Sequence, residues 1–196
     1  MKKIAVIAIF AATFTSIAQG AGRPEGLPGQ SGTPAVTIEN AFSPDSGAEE
    51  LVLKVINTSV SKIRLAAYSF NSRQIAEALL NAKKRGVDVQ VLVDARRNQR
   101  KNSIAVLDLL FKAGIPTKTI SVYAMHHDKY IVADDVSVQN GSFNYSRDAA
   151  TSNSENVVVV WNSPELAKSF LLHWQNRWDK GIDYRYVAEK RDAGAR

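Results

Sequence analysis

The chain has 196 residues, about one domain by size, and carries a formal charge of +6. It has no cysteine, which excludes a disulfide framework and cysteine-based zinc sites but is compatible with an oxidising compartment. The basic balance suggests a polyanionic partner.

The chain opens Met1-Lys2-Lys3, runs through the apolar stretch Ile4 to Ala12 and reaches small residues at Ser16, Ala18, Gly20 and Ala21. That order predicts a cleaved signal peptide over residues 1–20, and so a periplasmic or secreted protein. The apolar run is shorter than the roughly 20 residues that a spanning helix needs, and Thr13, Thr15 and Ser16 dilute it. No stable membrane association is therefore expected once the signal is gone. Cleavage after Gly20 would remove Lys2 and Lys3, lowering the charge from +6 by two to +4. Residues 21–34, with Pro24, Pro28 and Pro34 among glycines, read as a flexible leader. The folded domain is expected over 35–190, with its last residues frayed.

Within it, "KIRLAAYSF" (62–70) reads as a buried strand. Residues 71–85 read as a helix with Ile75, Ala78, Leu79 and Ala82 on one face, closed by Gly86. "VDVQVLVDA" is a second strand, and "RRNQRKN" a loop that carries Arg96, Arg97, Arg100 and Lys101. A helix follows over 103–113, with Gly114 after it. "NVVVVW" is another buried strand. Ser163 and Pro164 then start a helix whose Leu166, Phe170, Trp174 and Trp178 recur every four residues, the pattern of a core stripe. Strands alternating with helices argue for an α/β layered domain.

The stretch "MHHDKYIVADDVSVQNGSFN" concentrates the chemistry. Asp134-Asp135 is expected to form a two-residue hairpin turn with Asp135 at positive φ. Facing residues would then have numbers summing to about 269, which sets His127 opposite Ser142. On that register His127, Lys129, Ser142 and Asn144 share one face, and His126 points to the other. A nitrogen nucleophile, a cation and two neutral donors suit attack on a phosphodiester. No accompanying carboxylate cluster suggests magnesium or calcium, so neither metal nor another cofactor is expected. His173 reads as a core-edge histidine of the last helix. Lys83, Lys84 and Arg85 read as cations at a helix C-terminus.

The pattern His127-x-Lys129-x4-Asp134-x6-Gly141-Ser142-x-Asn144 resembles the signature of the phospholipase D superfamily. Six fixed residues recur by chance with odds of about 10⁻⁶ over such a chain. The likeness extends to "IRLAAYSF", "IAEALLNAKKRGVDVQVLVD" and "SENVVVV", and so covers most of Leu51 to Trp178. With one motif copy and a signal sequence, the chain looks most like the small exported Nuc-type endonucleases. That resemblance implies a layered α/β/α domain with a mixed sheet flanked by helices, and metal-independent hydrolysis through a phosphohistidine. It implies His127 as nucleophile or acid, Lys129, Ser142 and Asn144 as phosphate ligands, Glu155 as the carboxylate orienting a histidine, and Asp134 as the motif aspartate.

Arg96, Arg97, Arg100 and Lys101 follow the carboxyl end of a strand, where α/β domains bind ligands, and are expected to contact the backbone of DNA or RNA. In-line displacement needs a nucleophile and an acid on opposite sides of phosphorus. With His126 facing away and His173 on another helix, the second histidine is expected from a second copy of the chain, in a C2 homodimer with His127 at the dyad. A lipid phosphodiesterase and a non-catalytic nucleic-acid-binding module are the alternatives. The first should display a membrane-docking segment, and the second should have lost His127 or Lys129.

Overall fold

The structure is a computed structural model that describes residues 34–185. The expected signal peptide, most of the expected leader and the end of the chain lie outside the described residues.

Eight strands form one sheet in the order β1-β7-β6-β5-β2-β3-β4-β8. They are β1 (Thr37–Ser43), β2 (Lys62–Ala67), β3 (Asp88–Asp94), β4 (Thr117–Ile120), β5 (Lys129–Ala133), β6 (Ser137–Gly141), β7 (Glu155–Trp161) and β8 (Ile182–Asp183). β2, β3 and β4 run parallel, and every other pairing is antiparallel, so the sheet is mixed. Five helices join them: α1 (Ala48–Thr58), α2 (Arg73–Lys84), α3 (Lys101–Lys112), α4 (Arg147–Thr151) and α5 (Pro164–Trp178).

Side-chain alternation along the central strands builds two cores. Ile63, Leu65, Val89, Val91 and Ile131 meet the apolar stripes of α1, α2 and α3 on one face. Ala66, Leu92, Tyr130, Val132 and Val138 meet α5 on the other, through Ala167 and Trp174. The domain is thus the layered α/β/α fold expected. Trp174 is buried and stacks on Trp178 with ring centroids 4.7 Å apart, and its indole N–H donates to the Leu65 carbonyl, so the tryptophan stripe is core.

Capping decides where the helices begin. α2 starts at Arg73 because Ser72 is its N-cap, its hydroxyl accepting from the Ile75 N–H. α3 starts at Lys101, two residues earlier than its pattern suggests. The basic segment is therefore not a loop throughout: Arg97–Gln99 form a 3₁₀ turn, Arg100 is the N-cap of α3, and Lys101 opens it. β1 and α1 are elements that the sequence pattern does not announce. α1 has a helical stripe at Ala48, Leu51, Val52, Val55 and Ile56, but its N-cap is Gly47 in the left-handed region with no capping side chain, so the usual start signal is missing.

The hairpin register differs by one residue from the expected one. Tyr130 faces Asn140 and Ala133 faces Ser137, so facing numbers sum to 270 and Asp134, Asp135 and Val136 form the loop. Both aspartates have positive φ, 55° and 60°. The turn still closes through Val136 N–H to the Ala133 carbonyl, but Val136 pairs with nothing across the ladder.

Candidate active site

The mixed sheet brings several strand ends to one edge: the carboxyl ends of β2 and β3, the amino end of β5, the carboxyl end of β6 and the amino end of β7. His127 lies just before β5, outside the ladder, and is exposed. Lys129 is the first residue of β5 and is buried. Its Nζ donates to the His127 carbonyl at 2.8 Å and lies 3.3 Å from His127 Nδ1. Burial lowers the Lys129 pKa, and the nearby Glu155 and Asp128 carboxylates oppose that shift.

The observed register, continued past the end of the ladder, sets Gly141 rather than Asn140 opposite Lys129 and Phe143 rather than Ser142 opposite His127, so the expected His127–Ser142 cross-strand pair does not form. The chain turns at Gly141 instead, where φ is 154° and a Cβ would collide with the Asn156 carbonyl. Only glycine fits that approach. Beyond it Ser142 is tied to β7: its hydroxyl donates to Glu155 Oε2 at 2.6 Å and accepts from Asn156 N–H at 3.0 Å. Glu155 also accepts from Asn153. It therefore bonds Ser142 and acts on Lys129 through its charge, and among the described residues it has no hydrogen bond to a histidine. Asn144 keeps a buried Oδ1 with no hydrogen-bond partner.

Asp134 is not part of this cluster. It sits at the far end of β5, about 16 Å from Lys129 at the strand rise per residue, where its carboxylate accepts from the N–H groups of Val60, Ser61 and Lys62 and from the Ser61 hydroxyl. Burial alone would raise its pKa, but these four donors outweigh burial and hold it below the usual carboxylate value. The motif aspartate is an anchor that pins the hairpin to the start of β2, away from the His127–Lys129 cluster.

Three features at this edge carry no signal in the sequence pattern. Tyr68, just after β2, sets its ring against that of His127 with centroids 4.4 Å apart. Lys129 Nζ lies 5.3 Å and the Arg97 guanidinium 5.9 Å from the same ring, within cation–π range. The second is the buried Asn98, which fixes this corner by donating to the Tyr68 and Asp94 carbonyls and accepting from Phe70 N–H. Asp94, also buried, accepts from the N–H groups of Arg97 and His126. Arg96 is turned aside to the Ala124 carbonyl, and Arg100 and Lys101 are exposed.

The third is His173. The sequence argument sets it on a distant helix, yet α5 lies across the cleft and His173 lines it together with His127 and Lys129. Its Nε2 is 2.9 Å from Asp128 Oδ2, and the same oxygen lies 3.4 Å from His126 Nδ1. His126 is 4% exposed, and that burial lowers its pKa against the charges of Asp128 and Asp94.

A mixed sheet between two helical layers, with this histidine–lysine–serine cluster at one edge, defines a phosphodiesterase of the phospholipase D type. The family model described as "Cardiolipin synthase, PLD-like domain" matches residues 52–178, and the chain belongs to the phospholipase D superfamily. Nuc, a phospholipase D family member from Salmonella typhimurium, superposes with a TM-score of 0.76 at 47% identity, covering 77% of this chain and 99% of that one. A phospholipase D of Rickettsia conorii is 34% identical over 140 residues, 71% of this chain and 68% of its own. A mitochondrial cardiolipin hydrolase of Chlamydomonas reinhardtii is 28% identical over 127 residues, 65% of this chain and 56% of its own.

Proposed function

We propose that the protein is an exported, metal-independent endonuclease that hydrolyses DNA phosphodiester bonds through a covalent phosphohistidine. The observation that carries the reading is the placement of Tyr68 and Lys129 beside His127, with the Arg97 guanidinium over the same Tyr68 ring: a nucleophile next to one cation, with a second on the ring it touches, continuous with a basic segment that also holds Arg100 and Lys101. Likeness to Nuc over 99% of that protein supports it further. Charge on the phosphate is met by Lys129 and by the Ser142 and Asn144 side chains. Among the described residues no group of three or more histidines and acids is arranged so that it could hold a metal ion.

In the first step a neutral His127 attacks phosphorus, forming the N–P bond, while a protonated histidine gives its proton to the departing oxygen. That second histidine then takes a proton from water, and the hydroxide breaks the N–P bond to release the phosphate monoester. In our reading it is His127 of a second copy. The sheet face beside α5 supports such a partner, since Ile38 and Phe42 of β1 remain 68% and 54% exposed there, next to the partly covered Val158 and Val160 of β7. A second reading has its own observation: His173 shares the cleft, so the acid could come from the same chain.

The test is digestion of plasmid DNA by the purified protein with and without EDTA, beside vesicles of cardiolipin or phosphatidylcholine. Equal DNA cleavage in chelator is expected. Loss in EDTA restored by magnesium would overturn the mechanism, and cleavage of lipid without DNA would replace the substrate.

A further inference from the structure

The motif accounts for one wall of the cleft. The other wall is α5, and none of its groups belongs to the signature. We propose that this second half is a subsite for one nucleoside of the substrate, the sugar–base unit next to the scissile phosphate. The inference rests on the phosphodiesterase reading and adds to it which part of the substrate is held, and by what.

Four observations lead there. The cleft is about 350 Å³, at the small end for ligand sites and of a size for a single nucleoside. It begins at His127 and Lys129, so whatever occupies it is covalently next to the phosphorus under attack. Its walls mix ring edges with neutral polar groups: Tyr130 and Phe170 meet edge to face with centroids 4.9 Å apart, and the exposed Asn140 amide and Ser169 hydroxyl flank them. Among the described residues neither of those two side chains has a hydrogen-bond partner, and Asn140 has both a donor and an acceptor to offer a base edge.

The fourth observation is the Tyr130 hydroxyl. Tyr130 is 3% exposed and lines this cleft, yet its oxygen is buried without a hydrogen-bond partner. A buried hydroxyl left unpaired is destabilising, and a ligand that bonds it recovers that cost. The His173–Asp128 pair adds a further polar group to the lining. An acyl chain would be poorly served by this lining, since it would strand the Asn140, Ser169, Tyr130 and His173 groups against hydrocarbon.

The experiment compares three substrates with one leaving group: the thymidine 3′- and 5′-(4-nitrophenyl) phosphates and methyl 4-nitrophenyl phosphate. Wild-type protein is expected to favour one thymidine ester over the methyl ester by at least tenfold in kcat/KM, and the isomer favoured tells which side of the phosphate the cleft holds. Ser169→Trp, a change at an exposed helix position that fills the cleft, should reduce that ratio at least tenfold, and Asn140→Ala should reduce it about threefold. A wild-type ratio near one, or a Ser169→Trp variant that lowers all three substrates equally, overturns the subsite while leaving the phosphodiesterase reading intact. Preferential turnover of cardiolipin vesicles, lost in Ser169→Trp, would assign the cleft to a lipid headgroup and overturn it as well. Absence of turnover on every ester and on DNA would instead sink the proposed function itself.

Discussion

Lys129 Nζ lies 3.3 Å from Nδ1 of His127 and donates to the carbonyl of the same residue. A charged lysine has only protons to give, so in this arrangement Nδ1 accepts and the proton of the neutral ring sits on Nε2. A phosphate oxygen is a stronger acceptor than an imidazole nitrogen and competes for the same ammonium. In the proposed reaction, substrate binding would thereby release the histidine lone pair in the same event.

Lys129→Met should lower kcat/KM by about 10²–10³-fold, the usual cost of removing a group that stabilises transition-state charge, and should raise the unfolding midpoint. Burial depresses the Lys129 pKa, so below the folded pKa the native state carries a buried charge that the unfolded chain holds in water. Stability of the wild type should therefore rise with pH through the window just below the ordinary lysine value, and Lys129→Met should lose that rise. Thermal melts from neutral pH up to about pH 11 read it, and a midpoint lowered by Lys129→Met at neutral pH would refute the account.

His127→Ala should abolish turnover. His126→Ala should retain most turnover per folded molecule but lose about 1–3 kcal/mol of stability, because it empties a buried position. Wild-type stability should also fall as the pH drops below about 6.5, since burial keeps the native His126 neutral while the unfolded chain takes up the proton. Denaturant melts paired with DNA digestion separate the two residues, and equal catalytic losses would reject the assignment.

Asp134→Asn tolerates the same left-handed backbone, removes the charge and exchanges one acceptor oxygen for an amide donor. It should cost about 2 kcal/mol through weakened bonds to residues 60–62 and leave kcat near wild type. Because the native carboxylate titrates below its ordinary value, its contribution is complete above about pH 4–5 and is lost as pH falls through the native pKa. The gap between the two proteins should close in acid. A gap that stays constant down to about pH 2 would show that the charge is not what pins the hairpin.

Replacing Arg96, Arg97 and Arg100 with alanine should flatten the salt dependence of DNA binding by about 2–3 units of log–log slope, roughly 0.9 for each phosphate that is no longer neutralised. Arg97→Ala alone should also lower kcat, since its guanidinium lies over the ring that touches His127. An unchanged slope would return the segment to plain solvation.

Mixing wild-type and His127→Ala protein in equal amounts, with subunit exchange complete, should leave about 25% activity per total dimer if two histidines share each site, against about 50% if each chain works alone. The second value would make His173 the acid and favour a single-chain site.

The elements read well from sequence where a stripe and its caps agree, as in α2 with Ser72 before it and Gly86 after it. α1 has the stripe and lacks the cap, and so gives no start signal. His127 and Lys129 are legible because their spacing is local and their chemistry unambiguous. Register is less so: an Asp-Asp turn does not announce whether Val136 belongs to the loop, and the one-residue shift at the turn is accommodated by the bend at Gly141. His173 and Tyr68 stay hidden because each meets His127 only through the fold, from 46 and 59 positions away, and no periodicity encodes such a meeting.

β7 delivers Glu155 to Ser142, and it does so lodged between β6 and β1, the first strand of the domain. The strand that carries Glu155 is thus held on one side by its neighbour in sequence and on the other by the start of the domain. If the protein is the nuclease proposed, this wiring is a safety catch: the growing or unfolded chain carries the histidine and lysine close together in sequence, but not the serine–glutamate bond that the topology adds.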